Sequence, residues 1–365
     1  GEVDPERCLL YQEFHLRRLQ REERKRHGER PGAQRRLARR FQDYLGEVWF
    51  RDVAPCPSGD LCAVDLDGVL ETGRLGFPMA TPAGALSLRA LSLHGYRAVL
   101  VTGRSAGDVE ERCRAYRLAG GVAEYGAVIY TSADGRLRPL LSARERDDLA
   151  RVGTALAAIE GVHLDPDYCY AVRAYRLDSA GRRRGLAAGT IDRVLNSPAT
   201  AECVHAIRGS SQTDFMAVGT NKGTGLDALS DALRDGTGRD GRPPVALAVG
   251  DTASDLPMFA RARRAFAPAN AAAVRRDGVR VLRRARQPGL ALAVAQLLGH
   301  APGGCPLCRE PALPIRTRTL LAALAAQDGG STHALASALR MATLLARWET
   351  ARDDERDPGP HRASA

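Results

Sequence analysis

Three apolar runs of strand length each end on residues that carry chemistry. Leu61–Val64 leads into Asp65-Leu66-Asp67-Gly68, Val99–Val101 into Thr102-Gly103-Arg104, and Val245–Val249 into Gly250-Asp251, followed by Asp255. Near-continuous apolar runs of this length read as strands buried on both faces, the pattern of a parallel sheet. Ligand sites in open α/β sheets lie at the carboxyl tips of such strands. Lys222-Gly223, ahead of the third run, adds a cation. A chain with this order of features is constrained to a doubly wound α/β sheet whose polar tips converge on one site.

The residue types fit phosphoryl transfer. Positions i and i+2 of an extended chain share a side, and a turn at Gly68 can splay Asp65 and Asp67 around one substrate. Asp65 can attack phosphorus to give an aspartyl-phosphate, splitting a difficult displacement into two easier ones. Asp67 can protonate the leaving oxygen and then activate water. Two carboxylates facing a phosphate dianion repel it unless cations intervene. The Thr102 hydroxyl and the backbone N–H groups from Gly103 onward can hold phosphoryl oxygens, and Lys222 offers a compact positive charge. Asp251 with Asp65 can bind a hard divalent ion. Mg²⁺ fits because it keeps several waters and needs only one or two carboxylates beside the phosphate.

This ordered set resembles the haloacid-dehalogenase-like phosphatases, in particular the Cof, sucrose-phosphatase and phosphomannomutase-like branch with a large α+β cap between the second and third motifs. The resemblance runs from Leu61 to Leu298. It implies a Rossmann-like core with an inserted cap. It further implies that Asp65 is nucleophile and metal ligand, and that Asp67 is acid/base and lends the metal its backbone carbonyl. Thr102, Gly103 and Lys222 would meet the phosphate, with Asp251 and Asp255 at the metal. Gly121–Ile129 is similar to the family's strand before the cap, with Tyr125 where Asn is usual. Ser254 also replaces a usual Asn, and Val69 and Glu71 stand where Thr-Leu is commoner. These departures bear on the substrate more than on the reaction.

The activity implied is that of a Mg²⁺-dependent phosphomonoesterase acting on a small phosphorylated metabolite, a sugar phosphate by the cap type. Two alternatives stand beside it. One is a phosphomutase that returns the phosphoryl group to sugar, and the other is a binding or regulatory protein working through its terminal extensions.

The motif positions divide the chain into an arginine-rich helical extension (1–57), a core (58–131 and 213–299), a cap (132–212) and a helical C-terminal extension (300–365). In the cap, helix-strand-strand is repeated twice: a helix at 144–159 with β-rich runs at 162–164 and 169–177, then a helix at 186–195 with strands at 202–207 and 214–218. That order predicts an antiparallel sheet. Substrate-reading candidates on it are Tyr170, Arg173, Tyr175, His205 and Arg208, the arginines being suited to a second anionic group. Arg104 reads as a helix-start or salt-bridge residue. A helix opened by Gly223-Thr224-Gly225 is expected at Leu226–Leu233, so that its N-terminus faces the phosphate, and another over 254–262.

In the N-terminal extension Leu9, Phe14, Leu19, Leu37, Phe41 and Leu45 recur at helical spacing around a break at Pro31-Gly32. Either an RNA-, partner- or oligomer-binding arm or a helical pair packed on the core, with Trp49 and Phe50 as anchor, accounts for it. The C-terminal extension reads as helices at 319–326 and 332–348 with a disordered end.

A net charge of +10, mainly from arginine, would draw phosphorylated substrates. Nucleic acid is not the expected partner, the basic arm being the one segment suited to it. No apolar stretch approaches the ~20 residues of a membrane span, and Gly1–Pro5 has no signal-peptide pattern. The chain opens without Met, which leaves open whether it is a piece of a longer protein. Eight cysteines without framework spacing point to a reducing cytoplasm. Cys305-Pro306-Leu307-Cys308 has metal-ligand spacing, but zinc would need His300 and one of His333, Cys56 or Cys8 to complete a site. A redox pair or two ordinary buried thiols are the other readings.

Overall fold

A computed structural model describes residues 42–54, 56, 58–71, 80–197, 202–234, 241–271 and 278–315, with a few positions up to 325. The arginine-rich arm before residue 42, the helix expected at 332–348 and the C-terminal end lie outside the described residues, as does most of the helix expected at 319–326.

The larger of two sheets has eight strands: β1 (Leu61–Val64), β2 (Arg97–Val101), β3 (Gly120–Ala123), β4 (Val128–Thr131), β5 (Arg136–Pro139), β11 (Val245–Val249), β12 (Ala265–Ala267) and β13 (Val279–Val281). Their order is β13-β12-β11-β1-β2-β3-β4-β5. Pairing is parallel from β13 through β3, and β4 and β5 add an antiparallel edge. Every residue of β1, β2 and β11 is buried, as their unbroken apolar composition predicts. The chain leaves β1 toward β2 on one side and returns as β11 on the other. That reversal opens a crevice at the carboxyl tips of these three strands.

Alternate residues of the central strands feed two cores. Cys62, Val64, Leu100, Leu247 and Val249 face helix α1 (42–50), α2 (Pro82–Leu93), α3 (Ala106–Ala115) and α8 (Arg286–Leu298). Leu61, Ala63, Val99, Val101 and Ala248 face α6 (Lys222–Ala232) and the short α7 (Leu256–Phe259). Trp49 and Phe50 are fully buried in the first core, and Arg89 on α2 donates to the Trp49 carbonyl at 2.8 Å. This end of the N-terminal extension is therefore anchored to the core.

The second sheet is antiparallel, in the order β6-β7-β10-β9, with β8 paired to β7. Its strands are β6 (His163–Leu164), β7 (Val172–Leu177), β8 (Arg183–Arg184), β9 (Val204–Arg208) and β10 (Thr213–Ala217). Helices α4 (Ala143–Ala157) and α5 (Ala188–Leu195) cover one face through Leu149, Val152, Ile191, Ala174 and Phe215. The order is the helix-strand-strand repeat expected, with the two-residue β8 added between β7 and α5. Hydrogen bonding carries the sheet through β10 to Ala217, so residue 212 falls inside it.

Two helices differ from expectation. α6 begins at Lys222 because the Asn221 side chain accepts from the N–H groups of Gly223 and Thr224 at 2.9 and 3.0 Å, while Thr224 Oγ1 accepts from Asn221 N. This reciprocal cap outweighs the helix-breaking tendency of the two glycines. The segment after Asp251 is a 3₁₀ turn (Ala253–Asp255) followed by the single turn of α7.

Beneath β1, Glu71 and Arg112 form a buried bidentate pair, both bonds 2.8 Å, with side chains 0% and 3% exposed. Breaking one partner of such a pair strands a buried charge. Arg112→Met is expected to lower unfolding free energy by ~3–5 kcal/mol in urea denaturation, and the double variant Glu71→Leu/Arg112→Met to recover most of that loss.

Candidate active site

The tips of β1 and β11 and the start of α6 bring four charged side chains together. Lys222 Nζ lies 2.9 Å from Asp65 Oδ1 and 2.5 Å from Asp255 Oδ1. Asp65 Oδ1 also accepts from Leu66 N at 2.8 Å, so both contacts fall on the same oxygen. Asp255 Oδ2 accepts from the N–H groups of Asp251 and Thr252 at 2.9 and 2.8 Å. Both oxygens of Asp255 are thus occupied, and it fixes Lys222 and the Asp251 loop. Asp251 Oδ2 accepts from Asn270 Nδ2 at 2.8 Å, whose amide also reaches the Gly68 carbonyl. Gly68 has φ +78°, and a Cβ there would sit 2.0 Å from Asp251 Oδ2. The turn that splays Asp65 and Asp67 therefore requires glycine.

Three carboxylates surround one ammonium in this buried cluster. Burial pushes the Asp65 carboxyl well above its ordinary value, the Asp255 charge adds to this, and Lys222 opposes it. Burial and the Asp255 charge likewise push Asp251 up to about 6. The two acidic neighbours overcome the burial of Lys222 and hold its ammonium charged. Asp251 Oδ1 is buried without a hydrogen-bond partner. An orphaned carboxylate oxygen, beside two more carboxylates and a single ammonium, is a donor set that a hard divalent cation fits. Asp65, Asp251 and Asp255 offer ligand atoms within 4.8 Å of one another, Asp251 and Asp65 having the oxygens not already taken up.

Asp67 sits on the rim. Arg104 clamps it through Nε–Oδ2 and Nη2–Oδ1 bonds of 2.7 and 2.6 Å, the second of the two roles open to this residue, with a partner the sequence did not indicate. Burial raises the Asp67 carboxyl, but the charge and hydrogen bonds of Arg104 outweigh it and hold it at about 2. Arg104 also meets Asp108, which pairs with Arg112, so the clamp is the outer end of a ladder reaching Glu71. Thr102 is buried at the tip of β2, and its hydroxyl oxygen accepts from Arg104 N at 3.2 Å.

The cap sheet meets this site through its helix-free face. Arg173 on β7 binds Asp214 on β10 through Nε–Oδ1 and Nη2–Oδ2 bonds of 2.5 and 3.1 Å, and Nη2 reaches the Gly103 carbonyl at 3.3 Å. Tyr125 donates its hydroxyl to Asp214 Oδ2 at 2.9 Å. Its ring lies so close to Gly103 that a Cβ there would be 2.2 Å away. The Arg173 guanidinium stacks on Tyr168, 4.0 Å from the ring centroid. Glu124 accepts from the backbone N–H groups of Cys169, Tyr170 and Ala171 at 3.4, 2.7 and 2.7 Å, strapping core to cap.

Of the cap candidates, Arg173 reaches the Gly103 carbonyl beyond the tip of β2. Tyr175 and His205 share its face by strand alternation and register, though Tyr175 is stacked on His163 and covered by Arg183. Tyr170 contributes its backbone N–H to Glu124. Arg208 is not brought to the site: it lies on the helix side of β9 and pairs with Asp192 of α5 at 3.2 Å. Tyr168, Asp214, Glu124 and Asn270 were not foreseen. Asn270 follows the tip of β12, next to β11, so the strand order is the signal that would have found it.

No family model matches the chain, and no curated protein matches it. Among solved structures, a Thermoplasma acidophilum protein is similar with TM-score 0.50 and 16% identity, covering 66% of this chain and 98% of that one. A haloacid dehalogenase-like hydrolase from Bacteroides thetaiotaomicron matches at TM-score 0.47 and 16% identity, over 66% and 100% of the two chains. A sucrose-phosphatase from Synechocystis sp. PCC6803, in complex with sucrose and phosphate, matches at 0.46 and 16%, over 65% and 97%. At this identity the likeness is one of fold. What the likeness supports is an α/β core of mostly parallel strands, the architecture seen in the larger sheet.

Asp251 titrates in metal-free protein well above its ordinary 3.8. A raised folded value stabilises the protein at low pH, and that contribution is lost as pH rises through about 6. The contribution of Asp251 to unfolding free energy in EDTA is expected to fall by on the order of 2 kcal/mol between acid and neutral pH, read as the difference between the wild-type and Asp251→Asn profiles. Urea denaturation across this range checks it.

Proposed function

We propose that the chain is a divalent-metal-dependent phosphomonoesterase that hydrolyses a small phosphorylated metabolite, a sugar phosphate by its cap type, through an aspartyl-phosphate on Asp65. The observation that carries this reading is the placement of Asp65: buried at the tip of the central strand, 2.9 Å from Lys222, with its contacts confined to Oδ1. Oδ2 is then the oxygen that attacks phosphorus while the bond to the leaving group breaks. The leaving oxygen takes its proton from Asp67. In the second step Asp67 takes a proton from water, the water oxygen attacks phosphorus, and the bond to Asp65 breaks to release inorganic phosphate.

Lys222 and the backbone N–H groups after Thr102 hold the phosphoryl oxygens. A divalent cation, held by Asp65, Asp251 and the Asp67 carbonyl, would offset their charge. The clamp from Arg104 keeps Asp67 ionised, the form that activates water. Proton donation in the first step needs this clamp loosened, and a substrate phosphate competes for the guanidinium. Arg173, at the Gly103 carbonyl, places a second cation on the cap side of the phosphate.

Phosphate release from a panel of sugar, nucleotide and polyol phosphates, with Mg²⁺ and with EDTA, tests the reading. The wild type is expected to release phosphate only with metal, and Asp65→Asn to lose on the order of 10⁴-fold or more in kcat. Isomerised ester without free phosphate would indicate a mutase. Equal release by Asp65→Asn would contradict the assignment.

A further inference from the structure

At the opposite end of the strands from the carboxylate cluster, four side chains that no part of the chemistry above uses converge. His94 follows the last residue of α2 and precedes β2, while His300 follows α8 just after Gly299, which has φ +79°. Cys305 and Cys308 lie in the segment beyond. Cys305 Sγ is 3.4 Å from His94 Nε2 and 3.4 Å from Cys308 Sγ. The His94 and His300 ring centroids are 4.9 Å apart. Ligand atoms of all four residues lie within 4.8 Å of one another.

We propose that His94, His300, Cys305 and Cys308 form a structural Cys₂His₂ zinc site that staples the ends of α2 and α8 and fixes the start of the C-terminal extension to the core. Zn–S and Zn–N bonds of about 2.3 and 2.0 Å in a tetrahedron place ligand atoms about 3.3–3.8 Å apart. The sulfur–nitrogen separation of 3.4 Å falls in that range, and the sulfur–sulfur separation of 3.4 Å lies a few tenths of an ångström short of the ~3.8 Å between two thiolates on one zinc. Backbone N–H groups of Leu307 and Cys308 point at the Cys305 sulfur, as a Cys-x-x-Cys turn requires to support a thiolate. The His300 Nδ1 hydrogen bond to the Ala301 carbonyl, 2.9 Å, makes Nδ1 the protonated nitrogen and leaves the lone pair on Nε2, the tautomer a metal ligand needs.

Four protein donors fill a tetrahedral shell and leave no position for water or substrate, which makes the site structural. Two thiols and two imidazoles are donors for zinc, whereas the carboxylate cluster suits Mg²⁺. The sites are thus separate in place and in chemistry. The cysteine-bearing segment is held in position by packing as well, since Gly303 lies against Leu86 of α2, where a Cβ would be 2.8 Å from its Cδ2. His94 was not among the ligands expected from the sequence. Cys56 is not part of the cluster, and Cys8 and His333 lie outside the described residues.

Zinc content of the full chain, expressed with zinc, reduced and dialysed into metal-free buffer, tests the site. One zinc per chain is expected in the wild type and in Asp251→Asn, and none in Cys305→Ser/Cys308→Ser. Cobalt titration of the reduced, metal-stripped wild type provides a readout that does not rely on a folded variant. Tetrahedral d–d absorption with a thiolate-to-cobalt charge-transfer band is expected, with thiol protons released on binding. Absence of that band, zinc lost from Asp251→Asn but kept by the cysteine variant, or a Cys305–Cys308 disulfide in protein isolated under reducing conditions would each overturn the proposal.

Discussion

Three carboxylates packed around one buried ammonium are the constraint that the rest of the structure serves. Charges at these separations in a low-dielectric interior cannot stand uncompensated. The fold answers by drawing them from three different elements. Asp65 comes from the tip of β1, Asp251 and Asp255 from the loop after β11, and Lys222 from the capped start of α6. Asp255 is given over to fixing the others, with its oxygens on Lys222 and on two backbone N–H groups. What remains, on Asp65 and Asp251, is negative charge that a divalent cation would complete. Strand order makes this possible, because β1 and β11 are adjacent and the reversal of direction lies between them.

The second element of the design is the strap that holds the cap over the site. Glu124 and Tyr125 both adopt left-handed backbone conformations, φ +47° and +60°, which cost non-glycine residues about 1 kcal/mol or more each. The strain is offset by what the two side chains reach. Glu124 gathers backbone N–H groups from the loop before β7, and Tyr125 meets Asp214 on β10. Asp214 in turn orients Arg173 toward Gly103. The cap is thus tied to the core by residues of the turn between β3 and β4, and the Arg173 guanidinium is held at the Gly103 carbonyl through the same contacts.

Much of this was legible in the sequence, for identifiable reasons. Asp65, Thr102 and Asp251 stand at the ends of apolar runs, so strand-tip logic places them together, and the helix-strand-strand repeat of the cap is written in its hydrophobic period. What was not legible depends on pairings between distant positions. Arg104 clamping Asp67, Glu71 meeting Arg112, and Asn270 supplying an amide to Asp251 carry no local pattern. The regular part of α6 begins at Lys222, ahead of the Leu226 expected, because the Asn221 side chain caps the helix before the glycines at 223 and 225. Arg208 lies on the helix side of its strand, where one residue of parity in β9 decides between site and outer surface.

Mn²⁺ binding by metal-free protein, followed by electron paramagnetic resonance in parallel for wild type and Asp251→Asn, tests most directly whether the carboxylate cluster is built around a cation. One bound ion per chain in the wild type, with binding lost in Asp251→Asn while the variant stays folded, is the predicted result. An ion bound equally well by both proteins, or by neither, would contradict the account.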